Sequence, residues 1–371
     1  MPESIESLSL HALNRATLAR QLLLQRTRLT PLQAIRRLVA LQAQAPNPPY
    51  LALWARLEGF AAPQLTRLIE RGTVLRSALL RATLHLAAAP DYAGLRPLLQ
   101  PVLARSLQGA YGRALKDLDL ATVLAHGAGI LAAGTPTHGE LGRELQKRWP
   151  ERDAEALAAA MRNLAPLVHQ PPAGTWDSHA HARLALAAGL GASADAPNPH
   201  PALCELALRY LAAFGPASVA DMSAWCGLSG LQAVFDTLRP RLREFRDEQG
   251  RALFDLPRAP RPDVDAPCPP RLLGEWDNLL LSHDDRSRVL SDLHRPQVFT
   301  ANGLVRGTAL LDGFVAGTWA LERGRAVARL TVTPFVRWPA AARAALHDEG
   351  LGLLRFAAPG LQPEVQVLPV R

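Results

Sequence analysis

Lysine is nearly missing from this chain: Lys116 and Lys147 are the only two among 371 residues. Neither lies near the glutamine pair at positions 42 and 44, so Schiff-base chemistry is not expected there. Cysteine is as sparse. Cys204, Cys226 and Cys268 are too widely spaced for a disulfide framework or a zinc site. Cys204 and Cys226 sit among apolar neighbours at helical spacing, as core thiols do. No apolar run approaches ~18 residues, which argues against a membrane span. Met1 to Ser9 carries acids and no basic, apolar or cleavage-site pattern. No signal peptide is read there, and the cytoplasm follows by default. There is no P-loop and no G-x-G-x-x-G, so no nucleotide cofactor is expected. His179-Ala180-His181 lacks further ligands at metal spacing, and no metal is expected either.

What remains is apolar and arginine-rich. Almost half the residues are hydrophobic and a fifth are charged, the balance of a globular protein long enough for two to four domains. The formal net charge is +8, and its distribution is uneven. Residues 1–110 hold 13 arginines against five acidic residues, while the other 28 basic and 28 acidic residues cancel. Such asymmetry points to an anionic partner, nucleic acid first. Drift in a GC-rich genome yields basic segments too, so charge alone leaves both readings open.

Within that basic segment, Leu41-Gln42-Ala43-Gln44-Ala45-Pro46-Asn47-Pro48-Pro49-Tyr50 is the most informative stretch. Thr30, Pro31 and Gln33 form a capping box with proline at the first helical position. Leu32, Ile35, Leu38 and Val39 follow as an apolar stripe at helical spacing. Pro46 favours extended backbone before it, and Pro48 and Pro49 are expected to prevent a quick return to helix. In extended backbone, residues i and i+2 project to one side, so Gln42 and Gln44 are expected to aim two carboxamides at one point and hold a water molecule.

The clearest module runs over residues 201–257. A helix of about Leu203–Ala213 ends at Gly215-Pro216, and Ser218 and Asp221 cap a second helix that stops at Gly227. Ser229 opens a third, and Leu242–Phe245 and Ala252–Leu256 read as a hairpin. Three helices then a hairpin is the order of a winged helix. Residues 111–191 hold a looser copy: helices of about His138–Arg148 and Ala154–Leu164, then strands at Leu167–His169 and Gly174–Trp176. Residues 1–110 read as a third copy, with a helix near Pro63–Arg71 and strands at Val74–Leu80 and Ala82–Ala87. Linkers are read at Ala192–Pro201 and Pro257–Pro270. Beyond them, residues 271–371 form a C-terminal α+β domain with an Asp312-Gly313 hairpin turn, a strand at Ala326–Val332 and a helix at Pro339–Phe356. The expected fold class is α+β: tandem winged-helix (helix-turn-helix) modules followed by that domain.

Together, LQAQAPNPPYLALWARL (41–57), LLRATLHL (79–86), the third winged helix, EWDNLLLSHDDRSR (275–288) and LLDGFVAGTW (310–319) resemble the winged-helix DNA glycosylases of the AlkZ and YcaQ type. The likeness spans nearly the whole chain. It implies excision of alkylated purines, crosslinked ones included, with a Q-x-Q or Q-x-D pair as the active-site signature. Gln42 and Gln44 match the Q-x-Q form of the AlkZ branch.

Two carboxamides suit such chemistry. Alkylation at N7 gives guanine a positive charge and makes it a good leaving group without an acid. What remains is to orient water, which a glutamine oxygen can do by accepting a hydrogen bond from it. The expectation is a monofunctional DNA glycosylase acting on N7-alkylated purines in double-stranded DNA, as a monomer, in the cytoplasm at the nucleoid. Phosphate contacts are expected from Arg36, Arg37, Arg76, Arg81, Thr83 and His85, the last three alternating on a strand. Arg239, Arg241, Arg243 and Arg246, which follow the third helix, are expected to join them. Asp277, Asn278, His283 and Asp284 are expected to approach the site from the tail. The alternative is a non-enzymatic winged-helix DNA-binding protein or transcriptional regulator.

Overall fold

The computed structural model describes residues 5–187 and 199–370. Its strands are β1 (Ser7–Leu8), β2 (Leu41–Gln42), β3 (Val74–Ala78), β4 (Leu84–Ala88), β5 (Leu167–Gln170) and β6 (Arg183–Leu186). They continue with β7 (Arg243–Asp247), β8 (Ala252–Asp255), β9 (Arg271–Leu273) and β10 (Thr308–Leu311). The last are β11 (Phe314–Arg323), β12 (Val327–Pro334) and β13 (Gln362–Val367). Among the described residues they make three sheets, ordered β2-β4-β3-β5-β6, β1-β7-β8 and β13-β12-β11-β10-β9, with fourteen α-helices around them. The class is α+β.

The glutamine segment is built from local signals up. Gln33 N donates to Thr30 Oγ1 at 3.3 Å, and Thr30 N donates to Gln33 Oε1 at 2.9 Å, which starts the helix Pro31–Arg37. That helix stops at Arg37, short of the expected end. Val39 then takes φ +70°, a conformation that costs a β-branched residue roughly 1–3 kcal/mol. The kink delivers Leu41 and Gln42 as a short strand paired antiparallel to β4. The prolines act otherwise than expected. Pro48 and Pro49 occupy the first turn of a new helix, Pro48–Arg56, where a missing N–H costs nothing.

The first sheet joins segments from both sides of residue 110. Arg76 of β3 pairs with His169 of β5, so β5 and β6 extend the sheet that carries Gln42. The expected strand at Gly174–Trp176 is a loop; β5 pairs instead with Arg183–Leu186. Gly174 sits there at φ +88°, and a Cβ on it would lie 2.7 Å from Arg76 Cδ. Only glycine leaves that space.

In the 200–255 region, helices His200–Phe214, Val219–Cys226 and Gln232–Leu238 precede the β7–β8 hairpin. Ser218 and Asp221 form the expected reciprocal cap, and Gly227 closes the second helix at φ +84°. The third helix begins at Gln232, later than Ser229, with no side-chain cap. Of the linker Ala192–Pro201, residues 192–198 lie outside the described residues. In the tail, Asp312 (φ +47°) and Gly313 (φ +83°) make the expected tight turn between β10 and β11.

Tyr210, Phe214, Trp225 and Phe235, all buried, centre the largest core, which also takes Leu79, Leu80 and Leu99 from the first sheet and its helices. Buried ion pairs tie the N-terminal segment to the rest. Arg20 donates to both oxygens of Asp255 at 2.6 and 2.8 Å, and Arg56 to both of Asp277 at 2.7 Å, with all four side chains fully buried. Arg15 pairs with Asp312, and Arg26 with Glu349 at 2.7 Å. Four of the 13 N-terminal arginines thus meet acids from beyond residue 250. The local excess of positive charge in the sequence is partly cancelled in space.

Candidate active site

Gln42 lies opposite His85 in the β2–β4 ladder, so the two side chains share one face of the sheet. Between β3 and β4 the chain makes a tight turn in which Arg81 and Ala82 take φ +52° and +58°. This corrects the alternating strand expected through Arg81, Thr83 and His85. The turn swings the Arg81 guanidinium inward, where Nη2 donates to Gln42 Oε1 at 2.7 Å and Nη1 donates to the Trp225 carbonyl. That carbonyl belongs to the last turn of Val219–Cys226, a site that favours a cation. Arg81 is therefore spoken for by protein, and His85 is 1 % exposed, so neither presents itself to a phosphate.

The ionisation states follow from burial. Desolvation, then the Arg81 charge, pushes His85 down to about 3, so its ring is neutral at ordinary pH. Its Nδ1 faces the Thr83 carbonyl at 2.9 Å and must carry the proton, since a carbonyl only accepts. Burial lowers Arg81 and Arg76 to about 10, and both stay charged.

Gln44 extends the same frame. Ala43 N donates to the Leu84 carbonyl at 2.7 Å, and Leu84 N donates to Gln44 Oε1 at 3.3 Å, the side chain standing in for the next backbone acceptor. Both carboxamides are thus anchored on the single turn 81–84, Gln42 buried and Gln44 exposed. Arg76 grips the backbone between them: Nε donates to the Ala43 carbonyl at 2.9 Å and Nη2 to the Gln44 carbonyl at 3.3 Å. Its Nη1 lies 2.7 Å from His169 Nδ1, which must accept, so the His169 proton is on Nε2. Burial, then Arg76, holds His169 down at about 3. His169 was not foreseen; it lies 93 residues from Arg76, and no local spacing marks it. Beside Leu84 and His169 opens a cleft of about 650 Å³, lined also by His138, Glu155, Arg143, Arg162 and His181. Among the described residues no three or more His, Cys, Asp or Glu side chains are grouped to hold a metal ion.

The remaining candidates divide. Arg36 and Arg37 are exposed and line a second cavity of about 640 Å³ with Arg209 and Arg258. Arg239 is paired with Glu244 at 2.6 Å and Arg243 with Glu6 at 2.6 Å, and Arg246 donates to the Gly250 carbonyl at 2.6 Å. Arg241 is exposed. Thr83 donates to the Leu80 carbonyl at 3.1 Å and steadies the turn. The tail residues make structural ties. Asp277 is bound to Arg56 and caps Leu279 N at 3.0 Å. Asn278 Nδ2 donates to the Ala40 carbonyl at 2.7 Å, which supports the glutamine segment through its backbone. Buried His283 donates Nε2–H to the Phe214 carbonyl at 3.0 Å, and the backbone N of exposed Asp284 donates to Asp221 Oδ1 at 3.0 Å. Their clustering in sequence reflects turn building.

The family model described as DNA glycosylase AlkZ-like fits residues 35–356. The chain belongs to this family and is a DNA glycosylase, an N-glycosyl hydrolase. A curated relative from Streptomyces sahachiroi, named an interstrand DNA cross-link repair glycosylase, is 28% identical over 335 residues, covering 85% of this chain and 88% of that protein. The solved structure of Streptomyces sahachiroi DNA glycosylase AlkZ superposes with a TM-score of 0.80 at 22% identity, covering 98% of this chain and all of that one. At that identity the likeness speaks for the fold. No helix among the described residues is long and apolar enough to cross a membrane.

Proposed function

We propose that this glycosylase hydrolyses the N-glycosidic bond of N7-alkylated purines in duplex DNA and leaves an abasic site. Purines tied into interstrand crosslinks are included, as the name of the Streptomyces sahachiroi relative suggests. The observation that carries this reading is the anchoring of Gln42 and Gln44 on the same turn, one through a guanidinium and one through a backbone N–H. Neutral amides cannot protonate a leaving group, but a cationic purine needs no proton. They can orient the water that attacks the sugar as the C1′–N9 bond opens. The helices and hairpin at 200–255 serve as a winged helix in this reading, with related units at 1–110 and 111–191 and a tail at 271–371. Exposed Arg36, Arg37 and Arg241 supply phosphate contacts. The enzyme acts as a monomer at the nucleoid.

The test uses a duplex oligonucleotide with one N7-methylguanine, incubated with enzyme in excess and scored for release of the free base. Gln44→Ala is expected to slow release about 100-fold with duplex affinity retained. Unchanged release by that variant removes the water-orienting role. Sequence-selective binding with no excision of either the methylated or a crosslinked base would favour a regulator.

A further inference from the structure

We propose that Arg81 is a positioning residue that turns Gln42 into a hydrogen-bond donor, so the two glutamines act on opposite partners. This rests on the reaction proposed above. A guanidinium has no acceptor, so the group of Gln42 facing Arg81 Nη2 at 2.7 Å has to be its oxygen. The flip of the amide is thereby fixed, and Nε2 is left as the available edge. Among the described residues Gln42 Nε2 has no hydrogen-bond partner. The buried polar side-chain atoms left unbonded there are Arg152 Nε, His283 Nδ1 and Thr308 Oγ1, so Gln42 Nε2 reaches the surface although the residue is only 7 % exposed.

Arg81 is itself held for this task. Its second arm is fixed on the Trp225 carbonyl, and a Cβ on Gly227 would come within 3.3 Å of Arg81 Cα, so the end of the helix Val219–Cys226 packs directly on the turn. Arg81 has no carboxylate partner among the described residues. A buried arginine without one is costly, and its polar work here is confined to Gln42 and one carbonyl.

The chemistry divides accordingly. Gln44 Oε1, which takes the Leu84 N–H at 3.3 Å on one lone pair, accepts a hydrogen bond from the attacking water on the other. Gln42 Nε2–H donates to the acceptor edge of the departing purine, such as N3, as the C1′–N9 pair moves onto the ring and cancels its positive charge. Water oxygen bonds to C1′, and its proton passes to solvent.

Two variants test this on the N7-methylguanine duplex, read by single-turnover release at saturating enzyme, duplex affinity across a salt series, and melting temperature. Gln42→Glu keeps the oxygen that Arg81 needs and removes the donor. It is expected to lose about 30-fold or more in rate with unchanged affinity. Arg81→Lys keeps the charge and loses the two-armed geometry, and is expected to lose about 10-fold or more with an unchanged salt slope. A Gln42→Glu enzyme as fast as wild type overturns the donor role. An Arg81→Lys enzyme with wild-type rate at saturation overturns its positioning role, whatever its affinity. Absence of release by the wild-type enzyme would instead sink the reaction proposed above, a separate result.

Discussion

Replacing Asp277 by asparagine separates a structural tie from a site residue. Arg56 spends all five of its N–H groups inside the protein: two on Asp277, one on the Ala52 carbonyl, one on the Gln21 carbonyl and one on Gln21 Oε1. Both partners of the ion pair are fully buried. Asp277→Asn leaves the guanidinium charge uncompensated and turns an amide NH₂ toward an N–H donor. Removing one partner of such a pair costs about 3–5 kcal/mol. The pair links the helix Pro48–Arg56 to the tail, so the loss should appear as a lower urea midpoint for the cooperative transition. The double change Arg56→Met with Asp277→Leu removes both charges and is expected to recover most of that loss, since matched apolar groups substitute for buried pairs at little cost. Single-turnover release by folded Asp277→Asn protein should equal wild type. A variant within about 1 kcal/mol of wild type in stability, yet slow in base release, would refute this and return Asp277 to the active site.

Stability should also fall in mild acid. Burial first, with nearby arginines, holds His85, His169 and His283 at about 3. Each stays neutral when folded and charges only on unfolding, so stability is full above the ordinary histidine range. It declines below pH ~6.5, by up to about 1.4 kcal/mol per pH unit for each ring. Melting temperatures that stay flat from pH 7 to 5 would contradict this. Gly174→Ala is expected to cost about 1–3 kcal/mol, because φ +88° is strained for alanine and the new methyl meets Arg76 Cδ at 2.7 Å. It should also slow base release by loosening the grip of Arg76 on the Ala43 and Gln44 carbonyls; an unaltered rate would show that grip to be dispensable.

Short-range chemistry was readable from residue order. The Thr30 and Ser218 boxes, the Gly227 stop and the Asp312-Gly313 turn each rest on residues within a few positions of one another, and each is found. Prolines were read with the wrong polarity, because Pro48-Pro49 blocks a helix from inside but suits its first turn. Long-range pairing left no local trace. β1 joins β7 across more than 200 residues, and Arg76 finds His169 through strands the spacing did not connect. The glutamine pair was visible as a motif, whereas the guanidiniums that orient it were not. Arg81 looked like one more basic residue on a strand until the positive φ at 81 and 82 turned it inward. The basic N-terminal segment pointed to nucleic acid, as its family bears out, but a sequence window cannot see Asp255, Asp277, Asp312 or Glu349 returning to it.

A buried guanidinium beside a cationic substrate looks self-defeating, and the direction of charge flow decides whether it is. In the proposed reaction the positive charge begins on the alkylated purine and ends on the sugar. At an effective permittivity of about 20, unit charges ~8 Å apart repel by about 2 kcal/mol. A cation on the sugar side would oppose cleavage by that order. On the base side, the repulsion is present before the bond breaks and fades as the ring becomes neutral, so it destabilises the bound substrate more than the transition state. Arg81 behind a base-facing Gln42 meets that requirement, and Gln44, which carries no such charge at its carboxamide, is the residue suited to the sugar side. For undamaged guanine the departing ring would be an anion, which Arg81 attracts. Discrimination against normal DNA must then come from the lesion's own charge, because the protein environment that assists one leaving group does not repel the other.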